Sequence, residues 1–196
     1  MTTNHRPQPA PSGGPRRKRQ IFDATLRALA RDGFESMTIE GIAEESGVNK
    51  TTVYRWWPSK SALLGAALID APLLELPIPD TGELRGDLEH LVDSLVRLLT
   101  TEPSGAVAQA VLGAAVGEPG LAAYTQGFFA DRLTREQSVV DRAIARGELP
   151  ADTDTMLLMD LLAGAVWLRA VFRRLPLDED FARHAVAAVL DGVRTS

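Results

Sequence analysis

The sequence of 196 residues contains no cysteine, which excludes disulfide bonds and thiolate metal ligands. Its three histidines, His5, His90 and His184, lie far apart and form no ligand pair of the HExxH type. No segment matches a Walker-type phosphate loop, a GxGxxG dinucleotide loop or a GxSxG nucleophile motif. These absences argue against the common enzyme classes without excluding an enzyme built on other residues.

Long apolar runs are also missing. The N-terminus has no apolar core of the signal-peptide kind, and the apolar run 161–168 is bounded by Asp160 and Arg169. A bilayer span needs roughly 20 apolar residues, so this run is far too short. We therefore expect a cytoplasmic protein with no membrane partner.

No stretch alternates between apolar and polar residues with a period of two, so no sheet is expected. Apolar residues recur instead at helical spacing, as in Leu84, Leu88, Leu91, Leu95 and Leu98. The sequence therefore predicts an all-α fold. A long helical stretch is expected over 121–146, either continuous or broken near Asp131.

Proline, glycine and charge divide the chain. Residues 1–15 are polar and rich in proline and glycine, which predicts a disordered tail. A second proline-dense stretch, 71–82, predicts a linker between a head at 16–70 and a body at 83–196. Residues 1–70 carry ten Lys and Arg against seven Asp and Glu, whereas the rest carries eleven against nineteen, giving −5 overall. A basic head on an acidic body favours a polyanion as the partner of the head.

The most informative stretch, 38–60, predicts two short helices joined by a tight turn. Thr38 is a candidate N-cap, and Gly47 lies where the first helix must end. Asn49 is placed to cap a second helix, which Pro58 terminates. Such a pair is typical of a helix-turn-helix unit, whose second helix enters the major groove of DNA.

The side chains of this unit predict the chemistry of DNA contact. Lys50 can bind a phosphate or guanine, and the two threonines offer methyl groups to thymine and hydroxyls to base edges. Solvated surface is the plain alternative for each residue taken alone, and the cluster is what indicates DNA. The predicted contacts are Thr38, Lys50, Thr51, Thr52, Tyr54, Arg55, Trp56 and Lys60. The basic run 16–19 is either a solvated helix start or an arm that binds phosphates or the minor groove.

The C-terminal part predicts an interface between two copies of the chain. Residues 157–174 are apolar nearly all round, and such a helix must be covered on every side. Few elements follow it, so we expect a four-helix interface in a homodimer. Packing within one protomer is the alternative. The predicted interface residues are Leu161, Gly164, Leu168, Val171, Phe181, Ala185, Ala188 and Val189.

Residues 18–69 strongly resemble the DNA-binding domain of the TetR family of transcriptional regulators. The matching positions are Thr38, Ile42, Ala43, Gly47, Val48, Thr52, Tyr54, Trp57, Lys60 and Leu63. The body more weakly resembles one group of actinobacterial TetR-type C-terminal domains. The resemblance implies an all-helical, Ω-shaped homodimer that binds a palindromic operator and often holds a small-molecule effector.

Two positions depart from the family pattern, because Trp56 stands where Tyr or His is common and Trp57 where Phe is usual. Neighbouring residues on a helix do not share a face. We assign Trp57 to the core of the head and Trp56 to the DNA side, with the reverse assignment as the alternative.

The ligand site is the least determined part. The family lines its cavity with helices that here carry Leu95, Leu99, Tyr124, Phe128, Phe129, Met156, Met159 and Trp167. Ordinary core is the alternative for each of them. Apolar walls without an evident inward charge favour a neutral or lipophilic effector, and no cofactor is expected.

Two other functions stay open beside a ligand-responsive repressor. A DNA binder that senses no ligand would have a filled body core. A small helical enzyme using Asp160 would need a partner base or metal ligand, and the sequence shows none.

Overall fold

The computed structural model describes residues 17–117 and 119–191, excluding the side chains of 116–120. The tail 1–15, Arg16 and the end of the last predicted helix lie outside those residues. Within the described ranges the chain is helical and contains no strand. The helices are α1 (Lys18–Ser36), α2 (Ile39–Ser46), α3 (Lys50–Trp56), α4 (Lys60–Ile69), α5 (Leu84–Thr100), α6 (Ser104–Gly117), α7 (Pro119–Arg146), α8 (Thr155–Trp167) and α9 (Phe181–Leu190).

The caps predicted for the helix-turn-helix unit are confirmed. The Thr38 hydroxyl accepts a hydrogen bond from the Gly41 amide at 3.1 Å, which begins α2. Gly47 ends it in the left-handed conformation, at φ 64° and ψ 28°. The Asn49 side chain accepts from the Thr51 amide at 2.9 Å and begins α3. The helix ends on both sides of the turn between α2 and α3 are therefore capped by local contacts.

The core of the head fixes how α3 is presented. Val53 is fully buried, and Trp57, just after α3, is only 5% exposed. The Trp57 ring packs on Phe22 of α1, with centroids 5.2 Å apart. These contacts confirm the core assignment of Trp57. They also turn the opposite side of α3 toward solvent.

The head packs directly on the body at two places. α1 contacts α6, and α4 contacts α7. At the second place the Gly65 backbone lies so close to Tyr124 that a Cβ at position 65 would overlap the ring. A head of four short helices buries little apolar surface alone, so these contacts contribute to its stability.

The predicted linker is fastened to α7 by a buried carboxylate. Asp87, with no exposed surface, accepts hydrogen bonds from the Thr81 amide at 2.6 Å and the Thr81 hydroxyl at 2.8 Å. Arg142 and Arg146 of α7 lie 3.8 and 3.9 Å from its other oxygen. Arg142 also donates to the Pro79 carbonyl.

Helix α7 is continuous, so no break occurs near Asp131. The Asp131 carboxylate pairs with Arg135 one turn later, at 3.1 Å. Helix α8 is shorter than expected. The apolar helix predicted over 157–174 ends its α-helical part at Trp167. A π-helical turn, Leu168–Phe172, follows it.

Candidate DNA-binding surface and body cavity

The recognition helix α3 presents one polar face. Lys50, Thr51, Tyr54 and Arg55 are exposed, and Thr52 is half-buried. The apolar side of the helix faces the head core, so the polar side is the one open to a partner. This face carries cationic, hydroxyl and phenolic donors, which are the groups that bind phosphates and base edges.

Tyr54 is already oriented by its neighbour on α2. Its hydroxyl donates to the Glu40 carboxylate at 3.3 Å. Desolvation, and then the negative charge of Glu40, raises the pKa of Tyr54. The phenol therefore stays protonated and remains a donor. Binding a phosphate would require it to exchange Glu40 for the phosphate oxygen.

Lys60 differs from the expectation of a free phosphate contact. Its ammonium group donates to the carbonyls of Phe34 at 2.8 Å and Glu35 at 3.0 Å, and lies 4.4 Å from the Phe34 ring centroid. Two of its three donors are thus used to close the end of α1. The structure gives Lys60 a role in holding the head together, which the spacing in sequence did not indicate.

The described part of the basic run 16–19 is folded onto the head. Arg17 donates to the Gly47 carbonyl at 3.0 Å, so it supports the turn between α2 and α3. Lys18 pairs with Asp70 of the α4 end. Arg19 is exposed, as a phosphate-binding residue must be. Trp56 is half-buried, with its remaining surface open.

The body encloses a cavity of about 440 Å³, which is in the range of small-molecule sites. It lies among α5, α6, α7 and α8, with Leu74 and Leu76 at one end. Most of its wall is apolar. The lining residues include Leu95, Leu98, Val111, Leu112, Phe128, Phe129, Leu133, Met156, Met159, Ala163 and Trp167.

Two residues predicted to line the cavity do not. Leu99 is buried in the core and does not reach the cavity surface. Tyr124 faces α4, where its ring covers Gly65. Its position on α7 was inferred correctly, but the helix turns this residue toward the head.

Three charged residues line the cavity, contrary to the expectation of a wall without inward charge: Arg132, Glu136 and Asp160. Arg132 is 8% exposed, and its guanidinium lies 4.8 Å from the centroid of the Phe128 ring. Burial raises the pKa of Glu136 to about 7, against the opposing effect of Arg132. Phe128, Arg132 and Glu136 follow at intervals of four residues, so helical spacing from the aromatic pair was the signal that would have found them.

The outer face of α8 is apolar and uncovered. Leu157, Leu161, Leu168 and Phe172 are each more than half exposed, and their spacing places them along one side. By length and composition alone the segment Thr155–Phe172 would suffice to cross a membrane, although it includes Asp160 and Arg169. Uncovered apolar surface of this extent on a folded chain marks an interaction site.

The other predicted interface residues are covered to different degrees. Gly164 and Ala188 are exposed, whereas Val171, Ala185 and Val189 are half-buried. Phe181 corrects the expectation, because it is only 8% exposed within its own chain. The Arg169 guanidinium lies 5.3 Å from its ring centroid. Phe181 therefore packs α9 against the chain itself.

A capped helix-turn-helix unit with a polar recognition face, on a helical body with a cavity, defines a class of DNA-binding transcriptional regulators. Two family comparisons agree with this geometry. Residues 21–67 match the model described as bacterial regulatory proteins of the tetR family. Residues 78–189 match the model described as the tetracyclin repressor-like C-terminal domain. The chain belongs to the TetR family of transcriptional regulators, which are not enzymes.

Similar proteins cover nearly the whole chain. The HTH-type transcriptional regulator AqdR of Rhodococcus erythropolis is 29% identical, over 96% of this chain and 90% of its own. The HTH-type transcriptional regulator Rv1556 of Mycobacterium tuberculosis is 32% identical, over 93% of this chain and 88% of its own. The TetR family regulator SCO0332 is 34% identical in sequence to this chain. Its crystal structure superposes with a TM-score of 0.75, over 92% of this chain and all of that one.

Proposed function

We propose that this regulator is a repressor that binds a palindromic operator as a homodimer and is released by a small lipophilic effector. The observation that carries the DNA-binding part is the polar face of α3. Val53 and Trp57 anchor the helix inside the head, so Lys50, Thr51 and Arg55 are exposed on the opposite side. The Thr51 hydroxyl donates to the Asn49 side chain at 2.7 Å.

Each side chain of this face has a distinct role in the proposal. Lys50 and the two threonines, at the N-terminal end of α3, bind base edges in the major groove. Arg55 and Tyr54, nearer its C-terminal end, bind phosphates and fix the register of the head on the duplex. Trp56 lies against the sugar-phosphate backbone. Thr38, at the N-terminus of α2, adds its hydroxyl to a phosphate site there.

The uncovered side of α8 supports the homodimer. A second copy offers the same apolar face and would cover it in a symmetric contact. Asp160 lies within α8, and a charge in the middle of a membrane span is costly. A second copy is therefore the better occupant of this face than lipid. A regulator that reads chromosomal DNA also belongs in the cytoplasm.

The cavity supports ligand sensing over a DNA binder with a filled core. Two of the four helices that form its walls are α6 and α7, on which the head rests through α1 and α4. A ligand that prefers one spacing of these helices shifts the population of head positions. Release needs about 1–3 kcal/mol of coupling between the two sites.

Fluorescence anisotropy with a labelled duplex from the protein's own promoter region tests the DNA-binding proposal. Titrations over a salt series should give two protomers per site and a steep loss of affinity with salt. Arg55→Ala should lower the salt slope by about two units per bound dimer, since each of the two protomers loses one phosphate contact. Arg97→Ala, an exposed arginine of α5, is the matched control and should leave the slope unchanged.

The same assay separates DNA reading from phosphate binding. Lys50→Ala should reduce the preference for the operator over a scrambled duplex, because a base contact is lost. Equal, weak binding to both duplexes at every salt concentration would contradict the operator-binding proposal.

A further inference from the structure

The cavity contains a buried cation with no acceptor for its hydrogen bonds. Arg132 is 8% exposed, and its Nε and both Nη atoms are buried without a hydrogen-bond partner among the described residues. A guanidinium does not lose its proton in a protein, so this group remains charged. A buried charge with unpaired donors is costly unless something binds it.

No neighbouring carboxylate in the described part of the chain accepts a hydrogen bond from Arg132. Asp131 forms a long ion pair with its Nη1 at 3.7 Å, beyond hydrogen-bonding distance, and is nearer to Arg135 at 3.1 Å. Asp160 is exposed, so water screens its charge. No ion pair joins Arg132 and Glu136 in the described part of the chain, although both line the cavity.

The geometry around Arg132 favours a planar anion. The Phe128 ring covers one side of the guanidinium at 4.8 Å, and Arg132 is one of the residues that line the cavity, so its unpaired donors lie next to the space that a ligand would fill. A carboxylate matches the two parallel donors of a guanidinium. The rest of the wall is leucine, valine, alanine, methionine and aromatic side chains, which suit an apolar chain or ring system.

We infer that the cavity binds a lipophilic carboxylate, with Arg132 holding its anionic group and the apolar wall holding its body. This inference names the ligand class of the effector site and so rests on the proposed function. The sequence alone favoured a neutral or lipophilic effector, and this inference keeps the lipophilic body and adds an anionic group.

The test compares ligands that differ only in their head group. Isothermal titration calorimetry would measure the binding of octanoate, decanoate and dodecanoate, with decanol as the neutral probe and decylamine as the cationic one. Decanoate should bind at least about tenfold more tightly than decanol, since a hydrogen-bonded charge contact contributes that much. Equal binding of decanoate and decanol, tighter binding of decylamine, or no binding of any carboxylate would overturn the inference.

Two variants assign the effect to the guanidinium. Arg132→Gln should weaken decanoate binding about 10- to 100-fold while leaving decanol binding unchanged. Arg132→Lys keeps the charge but not the planar pair of donors, and should recover part of the affinity. Circular dichroism and operator binding without ligand would show that both variants are folded. A decanoate preference that survives in Arg132→Gln would refute the role of Arg132.

The outcomes separate this inference from the repressor proposal. Arg132-dependent decanoate binding without release of operator DNA would support the ligand class and contradict the effector role. Release by decanol or decylamine but not by decanoate would support the effector role and contradict the ligand class.

Discussion

Glu136 is expected to make this protein lose stability as pH rises, and the size of the loss follows from its burial. The pKa of its carboxyl is raised from 4.5 to about 7, chiefly by desolvation. Between these two values the folded state holds a proton that the unfolded state has released. Stability is therefore highest below pH 4.5 for this group, falls through the window up to 7, and stays low above it. Linkage gives a loss of about 2–3 kcal/mol per protomer between pH 5 and pH 8.

Urea denaturation of wild type and Glu136→Gln at pH 5 and pH 8 would measure this loss. Glutamine keeps the shape of the side chain and removes its titration, so the variant should lose about 2–3 kcal/mol less than wild type over that interval. Protomer concentration must be equal throughout, because association stabilises the folded state by mass action. Comparing the two proteins cancels the pH dependence of all the groups that they share. The same pH dependence in both proteins would refute the assignment.

Three further substitutions test the interface, the head and the joint between head and body. Leu161→Arg should give a monomer by analytical ultracentrifugation, because it places like charges against each other, whereas Ile78→Arg, at another exposed apolar residue, should not change the mass. Lys60→Met should lower the free energy of unfolding by about 1–2 kcal/mol in urea titrations, since two helix-end carbonyls lose their donor. Gly65→Ala should lower the free energy of unfolding by about 1–3 kcal/mol, because the added methyl group overlaps the Tyr124 ring of α7. Gly127→Ala is the control on α7, where the methyl group meets open space, and should raise the free energy of unfolding by up to about 1 kcal/mol. A dimeric mass for Leu161→Arg would contradict the interface prediction. An unchanged free energy of unfolding in Lys60→Met, or a raised one in Gly65→Ala, would contradict the prediction for that residue.

The local structure of the head was predictable because it depends on short-range chemistry. Thr38, Gly47 and Asn49 act through bonds to residues at most four positions away. The rule that neighbours on a helix face different ways separated Trp57 from Trp56, and the resemblance to a family with Phe at position 57 favoured Trp57 for the core. These features depend on residue type and spacing, which a single sequence contains.

The roles of Lys60, Tyr124 and Arg132 were not predictable in the same way, because they depend on tertiary contacts. Lys60 reaches carbonyls 25 and 26 residues earlier in the chain. Tyr124 faces a glycine of α4, and the packing of α4 on α7 decides that direction. Arg132 looks in sequence like one more charge on a polar helix. Its burial follows from the way four helices surround a cavity.

Helix α7 carries both the proposed ligand contact and a contact to the head. Arg132 follows Tyr124 by eight residues, which on a continuous helix is about 12 Å. Helix α6 repeats this arrangement, since it forms another wall of the cavity and supports α1. The two helices that bear the head are therefore also two of the four that surround the cavity. A ligand that changes their spacing acts on α1 and α4 at once, and α3 moves with them because Phe22 and Trp57 join it to α1. The same packing that stabilises the small head would thereby connect an occupied cavity to the position of the recognition helix.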